Sequence, residues 1–314
     1  MNMVAAIEAA LRGETADIRA AVATDPPVAF VLSPTLVAAL RAHPAFSVAA
    51  AEAAAGILDS FKGNSLHSRI MNDRGRALFA IAALYLHAEP DPFGNRLTAA
   101  RMIAFASSSN LCSAGRAKAM LALLRWGDYV EAGPDIDDRR QRPLVPTEKL
   151  WDVVRVRRLH TLNALSRLYS EAGRAAVLID EPHFRQTLSI ELGRAFCGGF
   201  RLLDQAPLLR SPAERNAGLV ILLALVLAHG RGEPPMPIAA LARRFTVSRA
   251  HVLSVLRDAE QVGLIHRDPI SGAAAALPAL TGEVDSLLAG LLALFALATS
   301  QSLAAHDAQA AQTV

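Results

Sequence analysis

Five arginines, Arg243, Arg244, Arg249, Arg257 and Arg267, fall within 30 residues, opposed there only by Asp258 and Glu260. The local excess of three positive charges equals the net +3 of the whole 314-residue chain. Guanidinium groups gathered in this way suit a polyanion, because they neutralise phosphates and their planar fork matches the acceptors on a base edge. Arg249, Ser254 and Arg257 are therefore expected near bases, and Arg243 and Arg244 on phosphate. Ser248 and Arg267 complete the candidate set with His251, whose place beside an apolar stripe fits a packing role as well as a contact.

Helical spacing supplies the frame for these side chains. Residues 238–245 read as a short amphipathic helix, 246–248 as a turn, and the run up to Gly263 as a longer helix that precedes strand-like Leu264 and Ile265. Ser248 is a good N-cap, since its hydroxyl can accept from a backbone N–H freed at the helix start. Val252, Val255, Leu256 and Ala259 recur at the period of a buried helix face, leaving Ala250, Ser254 and Arg257 outward. Thr246 is β-branched and disfavours positive φ, so the turn is expected to use ordinary backbone angles. The following HRDPISGAAAALPALTGEV reads as strand, Pro-Gly turn and strand, the wing of a winged helix.

The run LARRFTVSRAHV resembles the helix-turn-helix of bacterial transcription regulators at Leu241, Ala242, Val247, Ser248, Arg249 and Val252. It departs at Thr246, where that family commonly has Gly. The resemblance implies that the second helix enters a DNA groove. An amphipathic hairpin with no nucleic-acid role is the alternative.

A similar order of elements occurs upstream. Residues 74–87 read as an apolar helix, 97–107 as a second, and Ser113 as the cap of a third that runs to Trp126. Tyr129, Val130 and Glu131 form a strand, a charged turn follows, and residues 141–145 return, with Pro143 confining that strand to an edge. Aligning the caps Ser113 and Ser248 puts Tyr129 and Val130 on Leu264 and Ile265, and Met120, Leu121 and Leu124 on Val255, Leu256 and Ala259. Thr147 then sits opposite Thr281. This self-similarity points to duplication of one unit.

SAGRAKAMLALLRWGDYVE with DIDDRRQRPLVPTEK is similar to the MarR-type winged-helix regulators, whose pattern is recognition helix, strand, acidic-Arg-Arg wing tip and strand. The match is good over the wing and poorer over the helix, where Gly115, Ala119 and Ala122 leave the outer face nearly blank. Candidate DNA contacts in this copy are Ser113, Arg116 and Lys118 on the helix and Arg139, Arg140 and Arg142 on the wing. Asp135, Asp137 and Asp138 offer those wing arginines an alternative partner. The resemblance implies long helices that mediate dimerisation, here as a homodimer or an intrachain pseudo-dimer, and a small-molecule effector between helices that alters the spacing of the readers.

The expected organisation is a helical segment over 1–70, a first winged helix over 71–148, a connector over 149–210, a second winged helix over 211–283, and a C-terminal interface helix and tail over 284–314. Residues 149–172 read as one long helix carrying Arg155, Arg157, Arg158 and Arg167 on a solvated face. Gly173 is its C-cap, and a strand-like run over 175–179 follows. Two uncharged runs, 216–230 and 286–306, read as buried or subunit-interface helices rather than membrane spans. Trp126 and Tyr129 are expected in the core, and Cys112 as a buried structural thiol more than an oxidant sensor.

No GxSxG, HExxH, Gly-rich phosphate loop or cysteine pair with metal-ligand spacing is present, so neither catalysis nor a cofactor is expected. The two cysteines suit a reducing cytoplasm. The fold class expected is mainly α, two tandem winged-helix units joined by long helices. The function expected is a sequence-specific transcription regulator bound to double-stranded DNA. The alternatives are a winged-helix replication initiator and a structural module whose winged helices bind proteins.

Overall fold

The computed structural model describes residues 6–11, 30–60, 74–134 and 142–312, with the side chains of 74–77 excepted. The described chain is mainly helical, with two small antiparallel sheets. After a helical stretch over 6–11, the order is α1 (Pro34–Ala42), α2 (Phe46–Asp59), α3 (Arg74–Ala88), α4 (Ala99–Ser108), α5 (Ala114–Trp126), β1 (Val130–Ala132) and β2 (Leu144–Pro146). A helical connector follows: α6 (Glu148–Leu165), α7 (Glu171–Val177) and α8 (Pro182–Cys197). Then come α9 (Arg210–Glu214), α10 (Gly218–Gly230), α11 (Ile238–Phe245), α12 (Arg249–Gln261), β3 (Ile265–Arg267), β4 (Ala274–Ala276) and α13 (Pro278–Gln312).

Helix, helix, helix and strand pair thus occur twice, and the local hydrogen bonds repeat with them. Leu111 N–H reaches the Ala106 carbonyl at 2.9 Å, and Val247 N–H reaches Ala242 at 3.1 Å, each closing the bend before the third helix. Tyr129 N–H to Leu124 and Leu264 N–H to Ala259 close the ends of those helices, both at 2.9 Å. The strand pairs match as well: Val130 faces Pro146, and Ile265 faces Ala276.

Several expectations are corrected. Thr147 corresponds to Leu277 and not to Thr281, because Thr147 N–H donates to Tyr129 and Leu277 N–H to Leu264, each at 3.0 Å. The first strand loop is longer, which displaces the sequence offset after it. The edge position expected from Pro143 holds, because β2 pairs with β1 alone among the strands, while just past the proline Leu144 N–H donates to the Leu97 carbonyl at 2.9 Å in an isolated bridge. Pro143 itself accepts from Gly133 N–H at 2.9 Å and, lacking an N–H, cannot return that bond, so the β1–β2 ladder ends there. Thr246 is left-handed, at φ 54° and ψ 44°. That geometry costs a β-branched residue about 1–2 kcal/mol and is held because α11 must end abruptly before Ser248. Asn110 takes the corresponding bend at φ 54°. The connector helix stops at Leu165, and residues 175–179 are helical, since Ala172, Ala175 and Ile179 recur at helical spacing against the core.

The buried side chains form two cores. One holds Phe79, Leu84, Met102, Leu121, Tyr129 and Leu150 and belongs to α3–α5, β1, β2 and the first turns of α6. The other joins the N-terminal helices, the rest of α6, α7, α8, the second repeat and α13, with Leu36, Leu162, Leu188, Ile221, Leu256 and Leu292 fully buried. Burying each such side chain contributes roughly 1.5–3 kcal/mol. Helix α6 runs from one core into the other. Both uncharged runs lie in the second core as α10 and the middle of α13. By length and composition α13 is long and apolar enough to cross a membrane, yet 72% of its most apolar stretch is buried within the protein.

Candidate nucleic-acid interface

Ser248 starts α12 as its composition demands: its Oγ accepts the His251 N–H at 3.1 Å, relieving one of the donors freed at a helix start. Val252, Val255, Leu256 and Ala259 are buried against α10, α11 and β3, which fixes the roll of the helix. Arg249, Ala250 and Arg257 are exposed as a result, while Leu253 and Ser254 are half-buried. On α11, Leu241, Ala242 and Phe245 face the core, which turns Arg243 and Arg244 outward. The Arg244 guanidinium lies 5.4 Å from the Phe245 ring centre, a contact that restricts a long side chain.

The acids of this region are already engaged. Asp258 is held by Arg215, at the end of α9. Glu260 is held by Arg267, whose Nε lies 2.8 Å from Glu260 Oε2, and that hydrogen bond keeps the Glu260 carboxyl below the usual carboxylate range. Arg267 is thereby half-buried and neutralised. Among the described residues no carboxylate makes an ion pair with Arg243, Arg244, Arg249 or Arg257. Four cations therefore stand on one short span of surface. His251 resolves toward packing, its Nε2 lying 2.6 Å from the Asn216 carbonyl.

Arg215 and Asn216 were not legible as part of the site. They belong to the turn between α9 and α10, and they clasp α12 at both Asp258 and His251. The next residue, Ala217, is left-handed at φ 55°. A Cβ on Gly218 would lie 1.9 Å from the Pro212 carbonyl oxygen, so only glycine lets α10 start so close to α9. Ile270 was also missed: it is 95% exposed at the tip of the second strand loop, presented by Asp268, whose carboxylate accepts the Ile270 and Ser271 N–H groups at 3.1 and 2.6 Å.

In the first repeat, Ser113 Oγ accepts the Arg116 N–H at 3.4 Å and caps α5. Arg116, Lys118 and Arg142 are exposed. Arg139 and Arg140, with the acids Asp135, Asp137 and Asp138, lie outside the described residues. Tyr129 is buried as expected, but Trp126 is not: it is 67% exposed. The reason is angular, because Trp126 lies two residues, about 200° round the helix, past the inward Leu124. It falls in line with Gly115, Ala119 and Ala122, all exposed. Cys112 is half-buried, and burial pushes its thiol up despite neighbouring Arg116, so its thiolate is disfavoured.

The solvated face expected on α6 divides. Arg155 and Arg167 form exposed ion pairs with Asp180 and Glu52. Arg158, in contrast, is only 4% exposed, because the α6 face that carries it packs on α8. Among the described residues no group of three His, Cys, Asp or Glu side chains is placed to hold a metal ion. Compared with known proteins, the chain matches no family model, no curated protein and no solved structure.

Proposed function

We propose that the chain is a sequence-specific DNA-binding transcription regulator built from two tandem winged-helix units, with α12 as the helix that enters a major groove. The observation that carries this reading is the set Arg243, Arg244, Arg249 and Arg257, exposed on α11 and α12 while the nearby acids are engaged elsewhere. Arg257 lies on the outward face with Ala250 and half-buried Ser254, where side chains meet base edges, and Arg249 stands at the first turn. Arg243 and Arg244 meet phosphate. Arg267 and His251 position the helix instead of touching DNA. The resemblance to MarR-type regulators supports the same reading, as does the likeness between the two repeats. A cytoplasmic location and double-stranded DNA as partner follow from it.

The first unit supports a second reading for itself. Gly115, Ala119, Ala122 and Trp126 make a small-residue stripe ending in an exposed indole, which suits docking onto protein, including a second copy of the chain, better than reading bases. Footprinting on genomic fragments, with affinity followed across salt concentrations, tests both. A regulator gives a protected promoter site and a steep salt slope. Protection of repeated origin sites points to a replication initiator, and the absence of both protection and slope refutes DNA binding.

A further inference from the structure

A cavity of about 320 Å³ lies where the two cores meet. This is the size of a small-molecule site. Its walls are mostly aliphatic and aromatic, including Ile81 of α3, Leu192 and Phe196 of α8, Val220 of α10, and Leu291 and Leu294 of α13. Among the described residues, no carboxylate lines it. Its charged lining, among the described residues, is Arg157 and Arg158, side by side on α6, with Arg201, engaged by the Phe196, Phe200 and Ser109 carbonyls, and Arg215, paired with Asp258.

Arg158 is the unexplained group. Its Nη1 donates to Ser189 Oγ at 3.0 Å, with the Arg185 carbonyl at 3.4 Å, while its buried Nη2 has no hydrogen-bond partner. Among the described residues no carboxylate makes an ion pair with it; Glu148 pairs with Arg185 and Asp180 with Arg155. Burial with no offsetting charge lowers its pKa to about 10. An uncompensated buried guanidinium is costly, and an anion entering the cavity removes that cost.

We propose that this cavity binds a single-chain amphiphilic carboxylate, a fatty acid, with its head on Arg158 and its tail along the leucine-rich walls between the cores. The open Nη2 of Arg158, the one guanidinium here sunk to 4% exposure, matches a head of one charge; a phosphate head brings nearly two charges and three acceptors. The same cavity wall includes Arg215 and Ala217, of the turn that clasps α12. Occupancy therefore bears on the orientation of α12, a consequence that rests on the DNA-binding reading, whereas the binding itself does not.

The test is calorimetric titration of the full chain with dodecanoate below its micelle concentration, with dodecanol, dodecyl phosphate and benzoate run in parallel. Dodecanoate is expected to bind saturably and at least about tenfold more tightly than each of the others. Arg158→Met should weaken dodecanoate by about tenfold and leave dodecanol unchanged, and Leu291→Trp, which crowds the apolar lining, should weaken both. Circular dichroism confirms folding, and wild-type discrimination between dodecanoate and dodecanol decides the matter if a variant unfolds. Equal binding of dodecanol, tighter binding of dodecyl phosphate or benzoate, or no binding overturns the proposal. Dodecanoate binding by a chain that ignores DNA overturns only the regulator reading. Binding of both with no mutual effect overturns the coupling to α12.

Discussion

The two repeats share an order of elements and several local hydrogen bonds and differ in what they show to solvent. Helices α5 and α12 each begin at a serine cap, bury four residues and end against a strand. Yet the outward stripe of α12 carries Arg257 with Arg249 at its start and Arg243 and Arg244 beside it, whereas the matching stripe of α5 is Gly115, Ala119, Ala122 and Trp126, its exposed cations Arg116, Lys118 and Arg125 standing to either side of that stripe. Inward positions are constrained by packing, so both copies keep them apolar. Outward positions carry no such constraint, and it is there that the two repeats differ.

The largest expected effect tests that division. Replacing Arg249 and Arg257 by Ala should cost about 1–3 kcal/mol of DNA affinity each and abolish site preference, read by fluorescence anisotropy. Replacing Lys118 and Arg125 of α5 should change affinity by less than about 0.5 kcal/mol. An equal loss from both pairs would erase the distinction between the repeats.

Stability offers a second contrast. Gly218→Ala should destabilise by about 1–3 kcal/mol, because its Cβ meets a backbone carbonyl. Gly115→Ala, whose Cβ would meet nothing within 4 Å, should be neutral or stabilising by about 0.5–1 kcal/mol. Urea titration of both variants checks the pair.

The bends before the third helices sharpen the comparison further. Thr246→Gly should stabilise by about 1 kcal/mol through release of left-handed strain. Asn110→Gly should shift stability by no more than about 0.5 kcal/mol, since Asn tolerates that conformation. Thermal melts of the two variants would contradict the strain account if Thr246→Gly proved no better than Asn110→Gly.

The smallest effect concerns the clasp. Asp258→Asn removes the charged partner of Arg215 on a partly exposed contact, so it should cost about 1 kcal/mol of stability. It should nevertheless alter DNA affinity if α12 is positioned through that turn. Unaltered affinity would restrict the clasp to packing.

Much of this was written locally. Apolar residues at helical and strand periods gave the elements from 97 to 131 and from 238 to 276 to within a few residues, the two serine caps fell where hydroxyls were needed, and the outward Arg249 and Arg257 followed from the same periodicity. The doubling itself was visible as repeated order. What the linear chain did not disclose depends on groups far apart in it. Arg215 claims Asp258, Asn216 claims His251, and α6 sinks Arg158 between the cores. Neither a charge's partner nor its desolvation is encoded in neighbouring residues. Both are decided when distant helices meet, and that meeting separates the four exposed arginines of α11 and α12 from the buried one on α6.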